Sequence, residues 1–138
     1  MLFSELPIPE KVARLMNPVV LAFVGDAVYT LYIRTKACVG SDKKANDLNK
    51  ESAAEVSAVS QAKKISEILP LLTEEELSIF KRARNTKKNT RAKHASVSEY
   101  NKSTGFEAVV GYLYLTGQEE RIHEILAYCE NKEEENEN

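Results

Sequence analysis

The chain has no tryptophan, and only two cysteines, two histidines, five glycines and four prolines. Each shortage excludes something. Cys38 and Cys129 lie far apart with no ligand-like spacing, which argues against a disulfide scaffold or a zinc cluster and leaves two free thiols in a reducing compartment. His94 and His123 are isolated. His123 falls on the polar side of a helical pattern and is expected at the surface, while His94 sits in a basic stretch and suits phosphate contact better than base chemistry. Scarce Gly and Pro with abundant Ala, Leu, Lys and Glu favour helix over sheet, so an all-α fold is expected. No apolar run is long and clean enough to span a bilayer. Met1-Leu2-Phe3-Ser4-Glu5 lacks the basic start and apolar core of a signal peptide, so a cytoplasmic location without membrane contact is expected.

What is present is one domain's worth of chain, 138 residues, with no internal repeat, heptad or linker. The net charge of −2 hides an asymmetry: residues 130–138 carry −4, leaving +2 on residues 1–129. We read residues 1–16, with Pro7 and Pro9, as a leader, 17–131 as the folded domain and 132–138 as an acidic disordered tail. Asn17-Pro18 is a helix start, Asn as cap and Pro in the first turn. That helix runs to about Cys38, where Gly40 ends it, and being apolar almost all round it is expected to be the central, buried one. A second helix is expected from Asn46 or Asp47 to Lys64 or Leu69, ended by Pro70. Thr73-Glu74-Glu75-Glu76 is a capping box that opens a third helix over about 74–84, with Leu77 and Phe80 inward. A fourth begins near Ser98 and ends at Thr116-Gly117. A fifth, about 118–131, buries Ile122, Ile125, Leu126 and Cys129.

Two carboxylates are out of place in this pattern. Asp26 interrupts the longest apolar run, Val19 to Ile33, and Glu107 interrupts the apolar helix around Phe106-Glu107-Ala108-Val109-Val110. An unpaired buried carboxylate is costly, so each needs a partner. Gly25 adjoins Asp26 and Gly111 lies one turn after Glu107; small residues let two helices approach. Should these helices pack together, the acids face each other, and two adjacent carboxylates call for a shared proton or a cation. Oxygen ligands suit Mg²⁺. The plainer reading, that each acid is half-exposed or paired with Lys or Arg, stands beside it.

The second feature is the segment Lys81-Arg82-Ala83-Arg84-Asn85-Thr86-Lys87-Lys88-Asn89-Thr90-Arg91-Ala92-Lys93, with seven basic residues and no acid. Cations interleaved with Asn and Thr donors suit a phosphate backbone, and the absence of aromatics favours a duplex over single strands. A solvated charged loop is the plainer alternative. Taken together, an acid pair with Mg²⁺ and a backbone-binding loop amount to metal-assisted phosphodiester hydrolysis.

Leu21-Ala22-Phe23-Val24-Gly25-Asp26-Ala27-Val28-Tyr29 resembles the signature helix of the ribonuclease III catalytic domain, and Ser103-Thr104-Gly105-Phe106-Glu107-Ala108-Val109-Val110-Gly111-Tyr112-Leu113 resembles its second acidic helix. Asp47-Leu48-Asn49-Lys50, Val56-Ser57-Ala58-Val59-Ser60-Gln61-Ala62 and Lys81-Arg82-Ala83-Arg84-Asn85 are similar to the Mini-ribonuclease III branch, which lacks a double-stranded-RNA-binding domain. The resemblance spans about residues 15–128. It implies a helical homodimer that cuts double-stranded RNA with Mg²⁺, leaving 5′-phosphates and 3′-hydroxyls, and matures the 23S ribosomal RNA precursor, with a ribosomal protein on the substrate as a further candidate partner. Asp26 and Glu107 match the family's catalytic, metal-binding acids. Lys81, Arg82, Arg84, Asn85, Lys87, Lys88, Arg91 and Lys93 become RNA-binding candidates, and Thr104, Lys50 and Gln61 supporting ones. Ala22 and Thr104 stand where larger ribonucleases III carry a Glu and an Asp, so weak metal binding completed by waters and RNA phosphate is expected. Two competing readings are a non-catalytic helical RNA-binding or ribosome-assembly module and, more weakly, a helical nucleotide pyrophosphohydrolase, which would need more clustered carboxylates.

Overall fold

The computed structural model describes residues 3–40, 42–87 and 95–137. Lys88, Asn89, Thr90, Arg91, Lys93 and His94 lie outside the described residues, and with them half of the basic segment. The described residues form seven α-helices and no strand: α1 (Glu10–Arg14), α2 (Pro18–Val39), α3 (Ala45–Glu55), α4 (Ala58–Ile68), α5 (Glu74–Asn85), α6 (Val97–Leu115) and α7 (Glu119–Glu137), with a 3₁₀ turn at Leu69–Leu71.

Most boundaries follow local chemistry. Asn17 accepts the Val19 N–H at 2.9 Å and Pro18 fills the first turn of α2. Thr73 and Glu76 form the expected capping box of α5. Ser96 and Glu99 form another on α6, which starts one residue earlier than Ser98. After α6, Gly117 adopts φ +74°, the left-handed conformation that glycine takes without strain, and the Gln118 N–H closes on the Leu113 carbonyl at 2.8 Å. The expected second helix is two helices. Ser57 breaks it: its Oγ accepts from the Ser60 N–H at 3.2 Å and donates to the Ala54 carbonyl at 2.9 Å, capping α4 where α3 ends. α7 continues to Glu137, beyond the boundary expected at 131.

The central helix is α6, not α2. All residues from Ser103 to Leu113 except Glu107 are buried, and α2, α4 and α5 pack around it. α2 buries only Leu21, Ala22, Gly25 and Tyr29, and exposes Val20, Phe23 (79%) and Leu31 (65%). The apolarity of α2 thus serves two faces, one buried against α6 and one largely exposed. Val109 and Tyr112 belong to the core.

α2 and α6 make the most extensive helix–helix contact. At its centre two glycines meet. A Cβ on Gly25 would lie 1.7 Å from the Glu107 carbonyl oxygen and 2.8 Å from the Gly111 nitrogen, and one on Gly111 would lie 1.9 Å from the Leu21 oxygen. Backbone therefore rests on backbone here, which no larger residue permits. Elsewhere, Glu76 is buried and paired with Arg121 at 2.8 Å, Lys64 is buried against the Tyr29 hydroxyl and Glu55, and Cys129 is buried while Cys38 is exposed.

Candidate active site

The glycine crossing decides where the acids go. Asp26 follows Gly25 and Glu107 precedes Gly111 by one turn, so the approach of the backbones sets the two carboxyls within hydrogen-bonding reach of each other. Among the described residues neither acid forms an ion pair with Lys or Arg. The Glu107 carboxyl is pushed up to about 9, first by desolvation and then by the hydrogen bond and charge of Asp26, with the Gln61 side chain opposing them. At neutral pH, with no cation between them, the pair therefore retains a proton, since two like charges this close do not both ionise.

Around the acids lies a cleft of about 470 Å³, with Asn17 and Ala22 on the α2 side, Thr86 and Lys87 just after α5, and Tyr100 and Thr104 on α6. Ala22 is buried one turn before Asp26, and the Thr104 hydroxyl donates to the Tyr100 carbonyl at 3.0 Å, so neither position adds a charge to the pair. The donor set is purely oxygen, and among the described residues no three His, Cys, Asp or Glu side chains cluster as a metal site. Gln61, with its side-chain amide at Glu107, has an Oε1 that is buried and unpartnered. Two carboxyls short of positive charge beside an unsatisfied acceptor fit a hard, partly hydrated cation of the Mg²⁺ type, whose waters bring donors.

The basic candidates separate. Lys87 lines the cleft and Lys81 is exposed on α5. Arg82 turns away: its guanidinium donates to the Arg14 carbonyl at 2.7 Å and the Met16 carbonyl at 3.4 Å, tying the leader to α5. Arg84 lies over the Phe80 ring at 5.4 Å and donates to Asn85 at 3.1 Å. Lys88, Arg91 and Lys93 are outside the described residues. Lys50 is exposed on α3, and His123 is exposed as expected. Sequence reasoning passed over Tyr100 as a cleft residue, though its place seven residues before Glu107, two turns along one helix face, signals it. It also took Asn17 for a cap alone.

A larger cavity of about 560 Å³ opens between α2, α3, α4 and α7. Its charges neutralise one another: Lys64 bonds Glu55 at 2.6 Å, and Glu130 takes both the Tyr32 hydroxyl, at 2.6 Å, and Lys36.

A family model described as "Ribonuclease III domain" matches residues 19–118. Among curated relatives, a Clostridium tetani protein named Mini-ribonuclease 3 is 49% identical over 87% of this chain and 80% of its own length. A Streptococcus pneumoniae protein of the same name is 46% identical over 87% of this chain and 95% of its own. An X-ray crystal structure of a Fusobacterium nucleatum protein superposes with a TM-score of 0.76 at 36% identity, covering 80% of this chain and 90% of that one.

Proposed function

The chain belongs to the ribonuclease III family, among the Mini-ribonucleases 3, and is an endoribonuclease of double-stranded RNA; from that premise we propose that Asp26 and Glu107 are its catalytic, metal-binding acids, that Mg²⁺ is the cofactor, and that the substrate is the 23S ribosomal RNA precursor. The observation that carries the site is the carboxyl pair itself, two acids held together by a backbone crossing with no cationic side chain between them. A divalent ion held there would supply an activated water and neutralise the charge that grows on the phosphate oxygens. Binding it requires Glu107 to release its proton. Lys87 and Thr86, at the lip of the cleft, would hold the RNA backbone over the acids, and Lys81, Asn85, Lys88, Arg91 and Lys93 would extend that contact along the duplex. Arg82 and Arg84, bonded within the fold, have less to offer the RNA.

The exposed stripe of Val20, Phe23 and Leu31 on α2 supports a second copy of the chain as partner, and a two-fold pair would present one cleft to each strand of a duplex. Among the described residues no helix is long and apolar enough to cross a membrane, and we place the reaction in the cytoplasm. A ribosomal protein that shapes the precursor is a further partner under this reading.

The test is cleavage of an end-labelled duplex RNA with Mg²⁺ or EDTA. Asp26→Asn and Glu107→Gln should each abolish product while duplex binding persists. Near wild-type cutting by either variant would overturn the assignment in favour of an RNA-binding module. Extended 23S ends on depletion of the protein in cells would support the substrate, and unchanged ends would refute it.

A further inference from the structure

Gln61 sits at an unusual junction. It is 2% exposed, on the face of α4 that also buries Ala62, Ile65 and Ile68, where a leucine would pack without polar atoms. Its Nε2 donates to the Val56 carbonyl at 2.9 Å, at the joint where α3 ends and Ser57 starts α4. The same side chain lies beside the Glu107 carboxyl and opposes its upward shift. Its Oε1 is buried with no partner. Leaving such an oxygen unsatisfied is costly, so this is an unfavourable choice for a core position.

The geometry points to Gln61 as a positioning residue that holds the Glu107 carboxyl in its cation-binding orientation from the α3–α4 joint. The inference rests on the reading of Asp26 and Glu107 as the metal pair. The last torsion of a glutamate is broad and weakly restrained. An amide N–H fixed at its other end by Val56 narrows that freedom, so Glu107 meets a cation already oriented. The unpartnered Oε1 fits the same place: it is an acceptor available to a hydrating water once the pair is loaded.

The experiment compares the full chain with Gln61→Leu, Gln61→Glu and Glu107→Gln. Mn²⁺ is titrated into RNA-free protein and free ion is read by its electron paramagnetic resonance signal. Thermal unfolding in EDTA reports the fold, and cleavage of a duplex RNA against Mg²⁺ concentration is run in parallel. Gln61→Leu should stay folded in EDTA and need about 10- to 100-fold more metal for half-saturation, the usual effect of losing a group that orients a ligand. The KM for RNA at saturating Mg²⁺ should not move. Gln61→Glu, which adds a carboxylate beside the pair, should instead bind Mn²⁺ more tightly than wild type. Unchanged Mn²⁺ binding in both Gln61 variants, with Glu107→Gln losing it, would overturn the inference alone. Unchanged binding in Glu107→Gln as well would overturn the metal pair beneath it. Should Gln61→Leu unfold, Gln61→Glu decides: wild-type Mn²⁺ affinity there sinks the proposal.

Discussion

Gly25→Ala is a one-methyl change that should cripple both the fold and the site. Helix propensity alone predicts a gain, since Ala is better than Gly in a helix interior by about 1 kcal/mol. The crossing predicts the opposite. The new Cβ would fall 1.7 Å from the Glu107 carbonyl oxygen, and real Cβ atoms essentially never come within 3.0 Å of a neighbour, so α2 and α6 must part by about 1.3 Å. No rotamer offers an escape, because both obstacles are backbone. Overpacking a core costs about 1–3 kcal/mol and occasionally more; with the widest helix contact of the domain forced open, about 4 kcal/mol is the fitting figure, or about 3 net of the propensity gain. For a domain this size that lowers Tm by about 10 °C. The same displacement moves Glu107 away from Asp26, and a misplacement of about 1 Å in a reacting constellation can lower the rate about 100-fold. Circular dichroism melts and duplex-RNA cleavage well below the variant's Tm measure the two effects separately. A Tm within about 2 °C of wild type, under 1 kcal/mol for this size, together with more than half the wild-type rate, would refute the backbone-on-backbone account.

Burial works to raise the Glu76 carboxyl, but Arg121 and the Thr73 N–H outweigh it and hold the group below the usual carboxylate range, so its contribution is present above the unfolded-state pKa and fades as pH falls through the folded one. Glu76→Gln should cost about 3 kcal/mol at pH 7 and flatten the acid side of the stability–pH curve, read by urea midpoints from pH 7 to 3; an unaltered acid limb would refute it. Lys87→Gln should weaken duplex binding and reduce its salt slope by about 1, whereas Arg82→Ala should leave the slope alone and loosen the leader, seen as faster proteolysis before Asn17. Ser57→Ala should lower stability by about 1 kcal/mol through loss of the α4 cap, with the melt as measure. Phe23→Glu should yield monomers in light scattering with an intact melt; a persisting dimer would remove the α2 stripe as its interface.

Local signals carried a long way. Asn17-Pro18, the Thr73–Glu76 box and Gly117 mark their helix ends because caps and left-handed turns are written within four residues. The meeting of Gly25 with Gly111 was legible from two glycines beside two misplaced acids, and the structure brings those acids together. The break at Ser57 was missed because an unbroken apolar pattern outweighed a good cap residue. α2 was misjudged as the central helix because apolarity reports removal from water, not which partner removes it; Leu21 and Phe23 look alike in sequence, yet one is core and the other bare. The basic run gave no hint that Arg82 and Arg84 would be engaged by other parts of the fold, since that depends on where the leader and Phe80 lie.

The glycine crossing also bears on how this protein ages under mutation and heat. Most core side chains can be exchanged without altering the spacing of the two main chains that carry Asp26 and Glu107, because those main chains are in contact. Drift in the packing is thus filtered out before it reaches the chemistry. The converse holds for breathing motions. The main chains that carry the acids cannot part unless α2 leaves α6, the most extensive helix contact among the described residues, so the amides flanking the crossing should exchange with solvent only on global unfolding. Activity on warming should then stay whole until the melt and vanish with it, with no softened, half-active state in between.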